Sequence, residues 1–167
     1  MQAQHADEKS SYRPLIAVIS IILFSSAALQ VSNGQFNSML FMNQVMGLFF
    51  LIFAMFKFFD LDGFADGFQM YDVVAKKFRG YAYAYPFVEL ILGFLFLSGQ
   101  CLFLSNLFTL IIMSVSTAGV FISMRRGYKF KCACLGTILN IPLSTVSLLE
   151  NVSMGLMAAY MLLYTMH

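Results

Sequence analysis

Apolar residues fill this chain in long runs separated by short polar breaks. The runs cover roughly Leu15–Val31, Met39–Phe59, Tyr83–Leu104, Leu107–Met124 and Val146–Tyr164. Each approaches the length needed to cross a hydrocarbon layer of roughly 30 Å. Open strand edges do not survive in lipid, so the pattern predicts five helices. The softest boundary is "SGQCLFLSN", between the third and fourth runs. The polar opening, residues 1–14, reads as a disordered tail.

The second and third runs are joined by "DLDGFADGFQMYDVVAKKFRGYAYAY". Asp60, Asp62 and Asp66 lack the twelve-residue order and closing Glu of a calcium loop. The stretch reads instead as an amphipathic helix lying on the membrane, with Phe64, Phe68, Tyr71 and Val74 as its apolar side. Tyr81, Tyr83 and Tyr85 then read as an interfacial aromatic belt.

Composition agrees with a membrane chain. Of 167 residues, 60% are hydrophobic and only 11% charged, with a mean hydropathy of +0.79. A soluble domain would carry about 25% charged residues, and a small protein has too much surface for a thick core to explain the deficit. The net charge of +2 gives no argument for a nucleic-acid partner, and none is expected. The lipid bilayer is the expected surrounding.

The distribution of charge says more than its sum. Lys9 and Arg13 precede the first run. Lys57, Lys76, Lys77 and Arg79 lie at or after the end of the second, and Arg125, Arg126, Lys129 and Lys131 lie between the fourth and fifth. With five spans, all ten Lys and Arg fall on one side. The positive-inside rule predicts a cytoplasmic N-terminus, a cytoplasmic loop between spans four and five, and an external C-terminus in an inner membrane. Lys9, Arg13 and Ser26-x-Ala28 also fit a signal peptide; a retained anchor is the reading taken here.

Candidate chemistry centres on Cys132-Ala133-Cys134. Three cysteines make no disulfide framework and match no usual zinc spacing. A thiol pair one residue apart can cycle to a disulfide, hold a soft metal, or simply pack. A disulfide normally wants Cα atoms about 4.4–6.8 Å apart, which this spacing meets only in a bent backbone that Gly136 permits. Such a ring is readily reduced and suits exchange, and Lys129 and Lys131 favour the thiolate. Cys101 lies at the opposite end of its span and reads as packing.

Ionisable residues inside spans are costly and mark function or pairing. Lys57, Glu89 and Glu150 fall at similar depth, near the cysteine loop, with Lys57 and Glu89 the natural ion pair; Lys57 snorkelling to the interface is the plainer alternative. Met39, Met42 and Met46 share one helical face, as do Met154, Met157 and Met161. Such stripes are usually gap-filling packing, although thioethers also bind Cu(I) and other soft ions.

Taken together, "GLFFLIFAMFKFFDLDGFADGFQMYDVVAKK", "YPFVELILG", "CACLG" and "PLSTVSLLEN" resemble the methylamine-utilisation MauE / DoxX family of small membrane proteins, from about Gly47 to the C-terminus. The resemblance implies an all-α integral membrane protein with a four-helix transmembrane bundle over residues 39–167; the apolar run over residues 15–31 departs from it as an extra N-terminal transmembrane helix. It also implies thiol–disulfide chemistry that supports maturation of disulfide-bearing partners. Cys132 and Cys134 would be the redox pair, and Lys57, Glu89, Glu150 and Asn151 its polar surroundings, with Lys57 favouring thiolate. The partner would be a thioredoxin-like protein, or a quinone serving as cofactor. The family's motif usually reads Cys-Gly-Cys-Phe-Gly; Ala133 and Leu135 depart from it. The alternative function is a Cu(I) or Hg(II) transporter or chaperone, passing metal along Met39, Met42 and Met46 to Cys132 and Cys134 and on to a metallochaperone.

Overall fold

A computed structural model describes residues 13–32, 34, 36–125 and 144–166. They form six α-helices: α1 (Arg13–Ser32), α2 (Ser38–Phe59), α3 (Leu61–Tyr71), α4 (Arg79–Ser98), α5 (Leu102–Arg125) and α6 (Ser144–Met166). By length and composition α1, α2, α4 and α5 are able to cross a membrane. The fifth expected span, α6, has 23 residues, enough for the crossing, but it begins with a polar stretch around Glu150 and Asn151. The chain is an all-helical, multi-pass membrane protein.

Local chemistry sets the helix ends. The Asn37 side chain caps α2, accepting from the amides of Met39 at 3.0 Å and Leu40 at 3.1 Å, which satisfies two donors left open by the first turn. Asp60 caps α3 by accepting from Gly63 N at 2.9 Å. Helix α4 stops at Gly99, which sits in the left-handed region at φ 69°, a C-terminal stop that costs glycine little. The structure therefore moves three expected boundaries. Helix α4 starts before Tyr83; it ends before Leu104, and α5 starts before Leu107, because Gly99 turns the chain ahead of the apolar residues that follow.

Helices α2 and α4 pack antiparallel along their lengths, as do α5 and α6, while backbone approaches between these two pairs are few. The first pair closes on glycine. A Cβ built on Gly47 would lie 2.7 Å from Leu97 Cγ and 3.1 Å from Gly93 O, and one on Gly93 would lie 2.8 Å from Leu51 Cγ. Small residues at a crossing let membrane helices come this close. Helix α5 uses small polar residues instead: Ser105, Thr109, Ser116 and Ser123 are buried on it. Helix α1 lies on α2, held by Gln30 Nε2 donating to Gln44 Oε1 at 3.1 Å.

The linking segment corrects the sequence reading. Helix α3 forms as expected, but its apolar side does not lie on lipid. Phe64 and Phe68 are buried against Ala82 and Tyr85 of α4 and Val120 of α5. Val74 falls outside the helix and is exposed, with Ala75 buried in its place. The Tyr71 side chain lies outside the described residues. The physical reason is that α4 starts ten residues before Glu89, about 15 Å at 1.5 Å per residue, and α3 folds back over this projecting end. Tyr85 is accordingly buried in the core and not in an aromatic belt, and Tyr83 donates to Asp62 of α3.

Candidate functional site

The buried face of α2 runs through Met46, Phe50, Phe53 and Lys57, and that of α4 through Tyr85, Glu89, Leu92 and Phe96. Spacings of three and four put each set on one side of its helix. Where the two faces meet, Lys57 Nζ donates to both carboxylate oxygens of Glu89. The side chains keep only 3% and 5% of their exposure, so Lys57 is paired, not snorkelling. Glu89 lies well inside α4, ten residues from its start.

Aromatic rings finish the enclosure. Lys57 Nζ lies 5.4 Å from the centre of the Phe64 ring and 5.2 Å from that of Tyr85, within range of a cation–π attraction. The Phe68 ring packs on Tyr85 with centroids 4.7 Å apart. Helix α3 thus roofs the ion pair. A buried pair is held by geometry more than by net gain, since desolvation offsets much of the Coulomb attraction.

The second helix pair brings its own polar groups to the same place. Asn151 Nδ2 of α6 donates to Ser116 Oγ of α5 at 2.9 Å. Lys57, Glu89, Ser116, Glu150 and Asn151 all line one cavity of about 20 Å³, closed by Phe49, Phe53, Phe64, Phe68, Tyr85 and Met113. That volume holds about one water molecule, which polar walls of this kind can bind. The four polar residues singled out in the sequence are therefore gathered into one site. Ser116 and the aromatic roof were missed: Ser116 hides in an apolar run, and Tyr85 sits in a tyrosine alternation that reads as a belt.

The methionine stripes also meet. Met46 of α2, Met113 of α5, and Met154 and Met161 of α6 are buried in one cluster with Phe50 and Phe96, and Met39, Met42 and Met157 pack against it. Among the described residues, no three His, Cys, Asp or Glu side chains are placed to hold a metal ion.

Cys132 and Cys134 lie outside the described residues. Cys101 does not pack as expected. It is exposed in the turn between α4 and α5, at φ 50°, because Gly99 ends α4 before the cysteine is reached.

A family model described as Methylamine utilisation protein MauE matches residues 36–164, which covers α2 to α6 and leaves α1 outside. No curated protein and no solved structure matches the chain.

Proposed function

This chain belongs to the methylamine utilisation MauE family, and from that premise we propose that it is a membrane thiol–disulfide redox protein that exchanges electrons through Cys132 and Cys134 in support of a partner protein's maturation. One observation carries the reading. Lys57, Glu89, Glu150 and Asn151 converge on a single small cavity inside the helix bundle, and ionisable groups gathered at such a depth mark function. The cysteine segment joins the end of α5 to the start of α6, the two helices that supply Ser116, Glu150 and Asn151.

In the forward direction the two thiols lose two protons and two electrons and form one S–S bond. The acceptor is a thioredoxin-like protein, whose disulfide becomes a dithiol, or a lipid-soluble quinone, which becomes a quinol. Lys57 is held by Glu89, so whatever support its charge lends a thiolate is offset by that carboxylate. The charge pattern supports an inner-membrane protein with Cys132 and Cys134 on the cytoplasmic side. The motifs also support a wider kinship with DoxX proteins.

The test is a redox titration of the protein in vesicles, read by mass after alkylation. Cys132 and Cys134 are expected to change together, in a two-electron step. If both remain alkylated across the whole range of potentials, the reading is wrong.

A second reading has its own support in the clustering of both methionine stripes. Thioethers suit Cu(I) and other soft ions, so the cluster would pass Cu(I) or Hg(II) towards the cysteines and a metallochaperone. Cells producing the protein would then accumulate metal, and replacing Met46 and Met154 with Leu would remove the effect; unchanged accumulation in that variant would exclude it.

A further inference from the structure

The turn between α3 and α4 is tightly built. Asp72 is fully buried, and its Oδ1 accepts from the amides of Val74 at 2.8 Å and Ala75 at 2.9 Å. The backbone coils on behind this cap: the Asp72 carbonyl accepts from Lys76 N at 3.2 Å, and the Val74 carbonyl from Lys77 N and Phe78 N at 3.0 Å each. Ala75 is buried in the same cluster as Phe68 and Ala82, so the turn is fixed to the roof over the ion pair.

What this scaffold leaves outside is both apolar and basic. Met70, Val73, Val74 and Phe78 are exposed, Phe78 by 67%, and the exposed Lys76 and Lys77 stand among them in sequence. Single apolar residues on a surface are ordinary, but four on one short turn need an apolar neighbour. Among the described residues the ion pairs use other cations, Lys57 with Glu89 and Arg79 with Asp66. Nearby carboxylates are engaged as well: Asp62 accepts from Tyr83, and Asp66 from Arg79. Lys76 and Lys77 therefore keep their charge for an outside partner.

Position decides which partner. The turn runs straight into Arg79, the first residue of α4, a helix of 20 residues. That length rises about 30 Å, the thickness of the hydrocarbon layer, so the turn lies where acyl chains give way to headgroups. At that level apolar side chains enter the acyl region, lysines reach up to phosphates, and anionic headgroups attract basic segments. We propose that the α3–α4 turn binds an anionic phospholipid, with the headgroup phosphate at Lys76 and Lys77 and the acyl chains against Val73, Val74 and Phe78. A zwitterionic lipid offers the same chains, but its own cation offsets the phosphate. Asp72 holds the turn in place beforehand, so binding freezes little chain. Bound lipid then steadies the turn and, through Ala75, the α3 roof. None of this depends on the thiol reading.

The chain contains no tryptophan, so a single introduced Trp reports alone. Phe78→Trp puts it in the turn, and Phe94→Trp puts a control at an exposed position on α4. Both full-length proteins go into nanodiscs of phosphatidylcholine with a minor share of phosphatidylglycerol, one lipid or the other brominated high on its acyl chains. Quenching by phosphatidylglycerol at position 78 should exceed what its share gives, while quenching at position 94 should follow that share. Lys76→Gln and Lys77→Gln should each lower the preference about fivefold, the worth of one lysine at an anionic surface, and high salt should weaken it.

Quenching that follows the lipid share at both positions would overturn the proposal, and so would a preference at position 78 that survives both lysine changes. No quenching at position 78 by either brominated lipid would overturn it in favour of an acidic soluble partner. Native mass spectrometry gives a check without Trp. Phosphatidylglycerol should stay bound to the native chain and be lost from the Lys76→Gln/Lys77→Gln double variant; equal retention in both would also overturn the proposal.

Discussion

Lys57 near the end of α2 and Glu89 in the middle of α4 form a buried ion pair under a roof of rings from Phe64 and Tyr85. The pair joins residues 32 apart in sequence and forms one wall of the polar cavity. Removing one member strands a charge away from water.

Lys57→Met or Glu89→Leu alone should therefore destabilise the protein by about 3–5 kcal/mol, while the double variant recovers most of that loss. Thermal unfolding in detergent, followed by helical circular dichroism, measures both. Single variants that lose less than about 1 kcal/mol would show that water reaches the pair.

The roof should be separable from the rest. Phe68→Ala removes a fully buried ring, a change that typically costs about 3–5 kcal/mol. Because α3 packs on the projecting end of α4, the loss should be local first: amide exchange should rise across Leu61–Tyr71 before it rises in α2. Uniform acceleration along the chain would contradict a roof that opens on its own.

The two helix pairs predict opposite outcomes for two glycines, Gly93 at the α2–α4 crossing and Gly155 on α6. Gly93→Ala drives a methyl to 2.8 Å from Leu51 Cγ and should cost about 1–3 kcal/mol. Gly155→Ala meets nothing nearer than Met113 Cβ at 3.8 Å and should be neutral or slightly stabilising, since alanine favours helix by about 1 kcal/mol. Comparing the two unfolding midpoints checks the pair; equal losses would mean that α2 and α4 do not approach so closely.

Thiol accessibility tests the orientation. Cys101 is exposed at the turn between α4 and α5, the end opposite the basic segments. A membrane-impermeant maleimide added to intact spheroplasts should label Cys101, and should reach Cys132 and Cys134 only after permeabilisation. External labelling of the pair would reverse the topology.

Helix positions were readable from the chain because lipid demands long apolar runs, and Lys57 with Glu89 stood out because charge is rare inside them. Ends were less readable: α4 stops at Gly99 through backbone geometry, which hydropathy does not register, so Cys101 was misplaced. The destination of α3 was hidden for a different reason. An amphipathic helix buries its apolar side equally well on lipid or on protein, and only the projecting start of α4 decides for protein. The buried serines of α5 were masked by their apolar neighbours, since packing small polar groups between helices leaves no mark on a hydropathy average.

The tight contacts within α2 and α4, and within α5 and α6, divide the bundle into two helix pairs that meet through side chains more than through backbone. Rocking one pair against the other disturbs neither glycine crossing nor the Asn151–Ser116 bond, but it changes the width of the seam that holds the methionine cluster and the cavity. Bilayer thickness and lateral pressure act along that coordinate. The same side chains are therefore expected to hold slightly different space in membranes of different stiffness.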